Sequence, residues 1–172
     1  MSSQTVYSFD TSALIDGIER YYPIANFPAL WERMDGLISD LRLLVSEEAW
    51  NEAVFLDVAL KAWCTEEGLN REVCVAPTDA AIAAVAGAIV TQFPNWITQG
   101  KKNGADPFVI AVAEVKDCMV ISGETNGGPG KPKIPYVCQE RSVKHGRITD
   151  VVIGEGWVFG LFAVRGEGVA LR

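Results

Sequence analysis

Short, β-rich runs alternate along the chain with stretches of helical periodicity, and carboxylates stand at or just beyond the ends of these runs. Val6 to Asp10 and Cys118 to Ser122 are two such runs, and Leu43 to Val45 leads directly into a helical stretch. Strands that alternate with helices favour an α/β fold with a mainly parallel sheet. Ligands of such sheets bind beyond the carboxyl ends of the strands, so the acids there are candidates for a functional site.

Several helices have recognisable starts in the sequence. Apolar residues recur at helical spacing from Phe27 to Leu41. Ser46 is placed to cap the helix after the second strand, and Thr78 to cap an alanine-rich helix. Asp106 stands where a helix N-cap belongs, with Pro107 at the favoured first helical position.

The remaining elements are predicted from shorter signals. Val73 to Ala76 is predicted to be a minor strand, and Ile134 to Ser142 a short helix. The segment from Gly127 to Pro135 is too short to separate domains and is predicted to be a loop beside the site. Trp157 to Val164 is predicted to be a last strand, because it is apolar and aromatic.

Composition limits the classes of protein that this chain can belong to. Its 172 residues, 49% of them hydrophobic, suit a single domain that spans residues 1–172. The formal net charge of -7 argues against a protein that coats nucleic acid by charge alone. A nuclease remains compatible with this charge if carboxylates are concentrated at a metal site.

Other common sites and locations find little support in the sequence. The four cysteines have no paired spacing and His145 has no second histidine, so a zinc site is not indicated and reduced, buried thiols are expected. The stretch from Gly123 to Lys131 lacks the spacing of a phosphate-binding loop, so no nucleotide cofactor is expected. No opening signal segment is recognised, and Ala80 to Val90 is too short to cross a bilayer, so a cytoplasmic location is expected.

Four acids, taken together, carry the functional interpretation. Each has an ordinary explanation by itself: Asp10 and Glu124 as turn residues, Asp106 as a helix cap, and Glu52 as a solvated helix residue one turn beyond Glu48. Their placement at the ends of successive elements is what indicates one acidic centre.

The order of these motifs resembles that of the PIN-domain ribonucleases, including VapC-type toxins. Asp10-Thr11-Ser12-Ala13-Leu14 is similar to the first motif of the family, and Ala105 to Ala113 to its third motif with one extra residue. Glu52 corresponds to the helix glutamate of the second motif, for which Glu48 remains an alternative. The fourth motif, Val-Thr-x-Asp, is replaced here by Ile121 to Glu124.

The resemblance covers about residues 6–138, through an Ile-Pro-x-x-Cys segment that begins at Ile134, and leaves residues 148–172 unassigned. It implies a PIN-like three-layer fold, in which a mainly parallel central sheet is flanked by helices. It also implies a metal-dependent endoribonuclease that is the toxin of a toxin–antitoxin pair. The partners expected from it are an RNA substrate, a cognate antitoxin protein and a second copy of the chain, without a membrane.

The implied chemistry assigns a role to each residue of the site. Asp10, Asp106 and Glu124 are expected to bind Mg²⁺ or Mn²⁺, since these cations prefer oxygen ligands, while Glu52 completes the cage or orients the attacking water. Four further residues are expected to hold neighbouring carboxylates or to face RNA: Thr11, Ser122, Lys131 and Lys133.

Two alternatives remain open at this stage. The first is a catalytically silent PIN-like module that binds RNA or protein, which the altered fourth motif and the acidic composition favour. The second is a phosphatase-like hydrolase with Asp10 as its nucleophile, but Ser12 stands where that class carries a second aspartate.

Overall fold

The fold is an α/β arrangement built on a parallel sheet. The computed structural model describes residues 4–56, 58–97 and 104–160, with only the backbone of residues 54–56. Within these residues five strands form one sheet in the order β3-β2-β1-β4-β5, and each neighbouring pair is parallel. The strands are β1 (Tyr7–Phe9), β2 (Leu43–Ser46), β3 (Val75–Ala76), β4 (Met119–Ile121) and β5 (His145–Gly146).

Helices flank the sheet and connect its strands. They are α1 (Thr11–Asp16), α2 (Pro28–Ser39), α3 (Glu47–Leu56), α4 (Val58–Cys64), α5 (Ala80–Gln92), α6 (Pro94–Ile97), α7 (Asp106–Lys116), α8 (Ile134–Glu140) and α9 (Ile148–Gly154). A π-helical turn, Gly17–Tyr21, follows α1, and a 3₁₀ turn, Arg71–Cys74, precedes β3. No helix of the described ranges is both long and apolar enough to cross a membrane.

The central strand β1 is buried on both faces. The Ser8 hydroxyl points toward α7 and donates to the carbonyl oxygen of Val109 at 2.8 Å. Successive strand residues point to opposite faces, so Tyr7 points away from α7, where its hydroxyl donates to Glu155 at 2.7 Å just after α9. Arg42 also binds Glu155. These contacts hold helices against both faces and leave the carboxyl ends of the strands free to form a site.

Two helix caps differ from the sequence prediction. Asp79, not Thr78, caps α5, because its carboxylate accepts the N–H of Ile82 at 2.9 Å, while the Thr78 hydroxyl donates to Glu48 at 2.6 Å. Asp106 is the first residue of α7 rather than its N-cap, since the preceding residue holds the cap position and no side chain caps this helix. The predicted cap at Ser46 is confirmed by its bond from the N–H of Ala49 at 3.2 Å.

The carboxyl-terminal part differs more. Trp157–Phe159 are irregular instead of forming the predicted strand, and the rest of that prediction, residues 161–164, lies outside the described residues. The sheet is instead completed by β5, which is only two residues long and contains a glycine. So short a strand leaves no periodic pattern, because its stability comes from pairing with β4.

Candidate acidic site

Asp10 is held rigidly at the point where β1 passes into α1. Its N–H donates to the carbonyl of Ile121 on β4 at 2.8 Å, which continues the sheet for one more residue. Its carboxylate caps α1 by accepting the N–H of Ser12 at 3.1 Å, and it also accepts the Ser12 hydroxyl. The side chain is buried, with only 4% of the residue exposed. Capping therefore accounts for the hydrogen bonds of one carboxylate oxygen of Asp10, but not for the deep burial of the side chain.

Asp106 has no such structural explanation. It begins α7 without a capping bond, and its Oδ2 atom is buried with no hydrogen-bond partner in the described part of the chain. Only 8% of the residue is exposed. A buried, unpaired carboxylate is costly unless it is neutralised or paired. The prediction that Asp106 is a cap is thus wrong, and its correction strengthens the case for a functional role.

Glu52 reaches the site from α3. The N–H of Ala105, the residue before Asp106, hydrogen-bonds to its carboxylate. A Cβ atom placed on Gly104 would lie 3.4 Å from its Oε1 atom, which confirms how closely this loop approaches. Glu48, the alternative left open by the sequence, instead accepts the hydroxyl of Thr78, and of the two glutamates it is Glu52 whose charge raises the pKa of Asp106. The structure therefore distinguishes the two glutamates.

Glu124 lies beyond β4 and is half-buried. Its Oε2 atom accepts the N–H of Ile134, the first residue of α8, at 2.8 Å. The N–H of Ile134 is available for this bond because the first residues of a helix have no acceptor within it. Glu124 thus joins the loop to α8 and still faces the other acids.

The charges of neighbouring acids act on Asp106 and on Asp10. Burial, followed by the charges of Asp10, Glu124 and Glu52, raises the pKa of Asp106 to about 9. Burial also raises the pKa of Asp10 to about 6; the Ser12 hydroxyl opposes this rise and the charge of Glu124 adds to it. The pKa of Glu52 is raised by burial as well. Asp10, Glu124 and Glu52 thus lie close enough to Asp106 for their charges to raise its pKa.

The fit of these residues to a hard divalent cation rests on two observations. Asp106 offers a buried oxygen without a partner, and the neighbouring donors are all carboxylates, which suits Mg²⁺ or Mn²⁺. Among the residues described, however, no three acidic, histidine or cysteine side chains lie close enough to form a ready metal cage. The carboxylates are therefore close enough to repel one another but would have to draw together to share a cation.

The hydroxyl groups that contact the site acids differ from those expected from the sequence. The hydroxyl that binds Asp10 is that of Ser12 rather than Thr11, whose backbone N–H contacts the carboxylate instead, and the Ser12 oxygen also accepts the N–H of Gly123 at 3.1 Å. The Asp-x-Ser spacing of a helix cap could have indicated this role. Ser122 is fully buried and hydrogen-bonded to His145 at 2.9 Å.

The two predicted basic residues lie in the loop before α8. Lys131 is exposed, and Lys133 is half-buried and donates to the Thr125 hydroxyl at 3.2 Å. Through this bond Lys133 lies beside Thr125, the residue that follows Glu124.

Comparison with known proteins places these residues in a family. Residues 7–159 match the family described as a domain of unknown function, DUF4411, and this span contains all four acids. The chain matches none of the curated proteins with which it was compared. Because the match extends over most of its length, the chain belongs to the DUF4411 family.

Proposed function

We propose that this protein is a metal-dependent endoribonuclease of PIN-like type, which hydrolyses phosphodiester bonds at the acidic site. The observation that carries the proposal is the buried carboxylate of Asp106, which has an oxygen without a partner and three acids around it. Such an arrangement destabilises the fold unless it serves a ligand, because buried like charges repel. Perturbed acids that cluster in this way are typical of functional sites.

Each acid has a proposed role that follows from its position. Asp10, Asp106 and Glu124 come from three different elements and are the ligands proposed for Mg²⁺ or Mn²⁺. Glu52 orients the attacking water or completes the ligand set, and Ser12 holds Asp10 in place. When bound, a divalent cation supplies an activated water and stabilises charge on the scissile phosphate.

The choice of RNA as substrate, and of an antitoxin protein as inhibitor, is supported by the resemblance of the motifs to PIN-domain toxins. Lys131 and Lys133 supply positive charge on the loop next to Glu124, where a phosphate backbone would approach. Cytoplasmic action and self-association of the chain are part of the same proposal.

The test is cleavage of a fluorescent single-stranded RNA by purified protein. We expect cleavage that requires Mg²⁺ or Mn²⁺ and stops with EDTA. The cleavage rate should fall more than about 100-fold in Asp10→Asn, because removing a metal ligand should cost more activity than removing a residue that only supports a ligand. Asp79→Asn is the matched control, because it makes the same change at an exposed residue that caps α5. Equal cleavage by wild type and Asp10→Asn would show that the activity belongs to a contaminant.

A catalytically silent binding module is the second candidate. It is favoured by the absence, in the described ranges, of three side chains at metal-ligand spacing and by the use of one Glu124 oxygen to bind the N–H of Ile134. The two candidates differ in one measurement. A silent module would bind RNA or protein, yet Mn²⁺ would shift the melting temperature of wild type and Asp106→Asn equally.

A further inference from the structure

A small cavity adjoins the acidic site on the β4 side. It has a volume of about 140 Å³, and its walls include Gly123, Tyr21, Tyr22 and Arg147. We call it the tyrosine cavity. Pockets for drug-sized ligands occupy roughly 300–1,000 Å³, so this one suits a single planar ring system rather than a whole nucleotide.

The tyrosine cavity and the acidic site share a wall. Gly123 lines the cavity and directly precedes Glu124. Its N–H donates to the hydroxyl of Ser12, which in turn binds the carboxylate of Asp10. A Cβ on Gly123 would lie 3.1 Å from the backbone carbonyl oxygen of Ser12, so glycine allows strand and helix to approach closely at this wall. A polymer bound across the acids would therefore place its next unit at the cavity.

The aromatic rings beside the cavity form a contiguous patch, in which Tyr21 and Phe27 are exposed and Tyr22 is half-buried. The π-helical turn closes with a bond from the N–H of Tyr22 to the carbonyl of Gly17 at 2.7 Å, so its last residue, Tyr21, and its cap, Tyr22, both lie at the cavity wall. Tyr21 is 63% exposed, and its ring centroid lies 6.4 Å from that of Tyr22, which contacts Phe27 edge to face. Contiguous exposed aromatic surface indicates binding more than an isolated exposed ring does, and π-helical turns occur often at functional sites.

The cavity also carries a positive charge, on Arg147. Arg147 lines the cavity and has no carboxylate within ion-pair distance among the residues that the structure describes, whereas Arg20 nearby is paired with Asp16 at 2.9 Å. The chain as a whole carries a net charge of -7, so it cannot hold a phosphate backbone by charge alone. Stacking of a base on an aromatic ring supplies affinity that does not depend on net charge.

We propose that the tyrosine cavity binds a nucleobase of single-stranded RNA next to the scissile phosphate, with Tyr21 stacking on the base and Arg147 contacting a phosphate. This subsite rests on the proposed ribonuclease function. It adds that the substrate is unpaired at this position, because a base in a duplex cannot enter a cavity.

Binding of a short, fluorescein-labelled single-stranded RNA in EDTA tests the subsite without cleavage. We expect Tyr21→Ala to weaken Kd by about 5- to 100-fold and Tyr21→Phe to stay close to wild type, because phenylalanine keeps the ring. Arg147→Ala should lower the slope of log Kd against log salt by about one. Phe159→Ala and Arg33→Ala, which change exposed residues outside the cavity, are the matched controls and should bind as wild type does.

A second measurement separates the subsite from the acids. In Mn²⁺, Tyr21→Ala should raise KM for RNA and leave the Mn²⁺-induced rise in melting temperature unchanged. If wild type neither binds nor cleaves RNA, the proposed function fails and the subsite fails with it. If wild type cleaves RNA while Tyr21→Ala and Arg147→Ala keep its Kd and salt slope, the subsite alone is overturned.

Discussion

Replacing Asp106 by asparagine should stabilise the protein in the absence of metal. The pKa of this carboxyl rises from 3.8 to about 9 on folding. Between these values the folded state holds a proton that the unfolded state has lost, so the stability of the wild type falls as pH rises. Asparagine has nearly the same shape and no charge, so it removes this pH-dependent loss.

The magnitude follows from the pKa shift. One pKa unit corresponds to ~1.36 kcal/mol, so the interval from 3.8 to pH 7 gives a gain of at most ~4 kcal/mol for Asp106→Asn. Relaxation of the neighbouring acids reduces it, and we expect a gain of about 2–3 kcal/mol. For a chain of this size that gain corresponds to a rise of roughly 4–12 °C in melting temperature.

The assay is urea denaturation in EDTA between pH 4 and pH 9, together with thermal melting. The difference in unfolding free energy between Asp106→Asn and wild type should be small near pH 4 and widen as pH rises toward 9, which is the sign expected for a carboxyl with a raised pKa. Asp79→Asn is the matched control, because asparagine caps a helix about as well as aspartate and this residue is exposed. Its stability should stay within about 0.5 kcal/mol of wild type at every pH.

Two outcomes would refute this reasoning. One is an Asp106→Asn protein that is less stable than wild type in EDTA, which would make the carboxylate a structural group. The other is a stability difference that does not change with pH, because it would mean that the carboxyl has an ordinary pKa in the folded state. Mn²⁺ supplies an independent check: it should stabilise wild type by mass action and Asp106→Asn much less.

Three further outcomes are expected. Mn²⁺ binding at pH 7 should release about one proton, because the Asp106 carboxyl is protonated until the cation displaces its proton. Titration calorimetry in buffers of different ionisation enthalpy measures the number of protons released, and a release of zero would contradict the prediction. Ser12→Ala removes a donor that holds the Asp10 pKa down, so the acid limb of the pH–rate profile should move to higher pH. Glu52→Gln should lower the cleavage rate about 10- to 100-fold, whereas Glu48→Gln should leave it near wild type; equal losses would remove the distinction drawn between them.

Local patterns in the sequence were sufficient for the elements with strong signals. The β1 run that ends at Asp10, the cap at Ser46 and the helix that starts at Asp106 all appear within a few residues of their predicted bounds. Short-range composition predicts strands of this kind, and capping residues predict helix starts, because a capping bond joins residues within one turn of the chain. The short β5 strand and the irregular Trp157–Phe159 were missed because pairing across the sheet decides them.

The sequence by itself determined which residue types stand at the strand ends, and hence the acids that could form a site. Only the tertiary structure decided that Glu52 rather than Glu48 faces Asp106, and that Asp106 caps nothing. The physical reason is that the charge coupling of Asp106 depends on distances between α3, α7 and the loop after β4, which lie far apart in sequence. Burial of Asp106 and the raised pKa that results from it are properties of the packed edge of the sheet, and no local pattern encodes them.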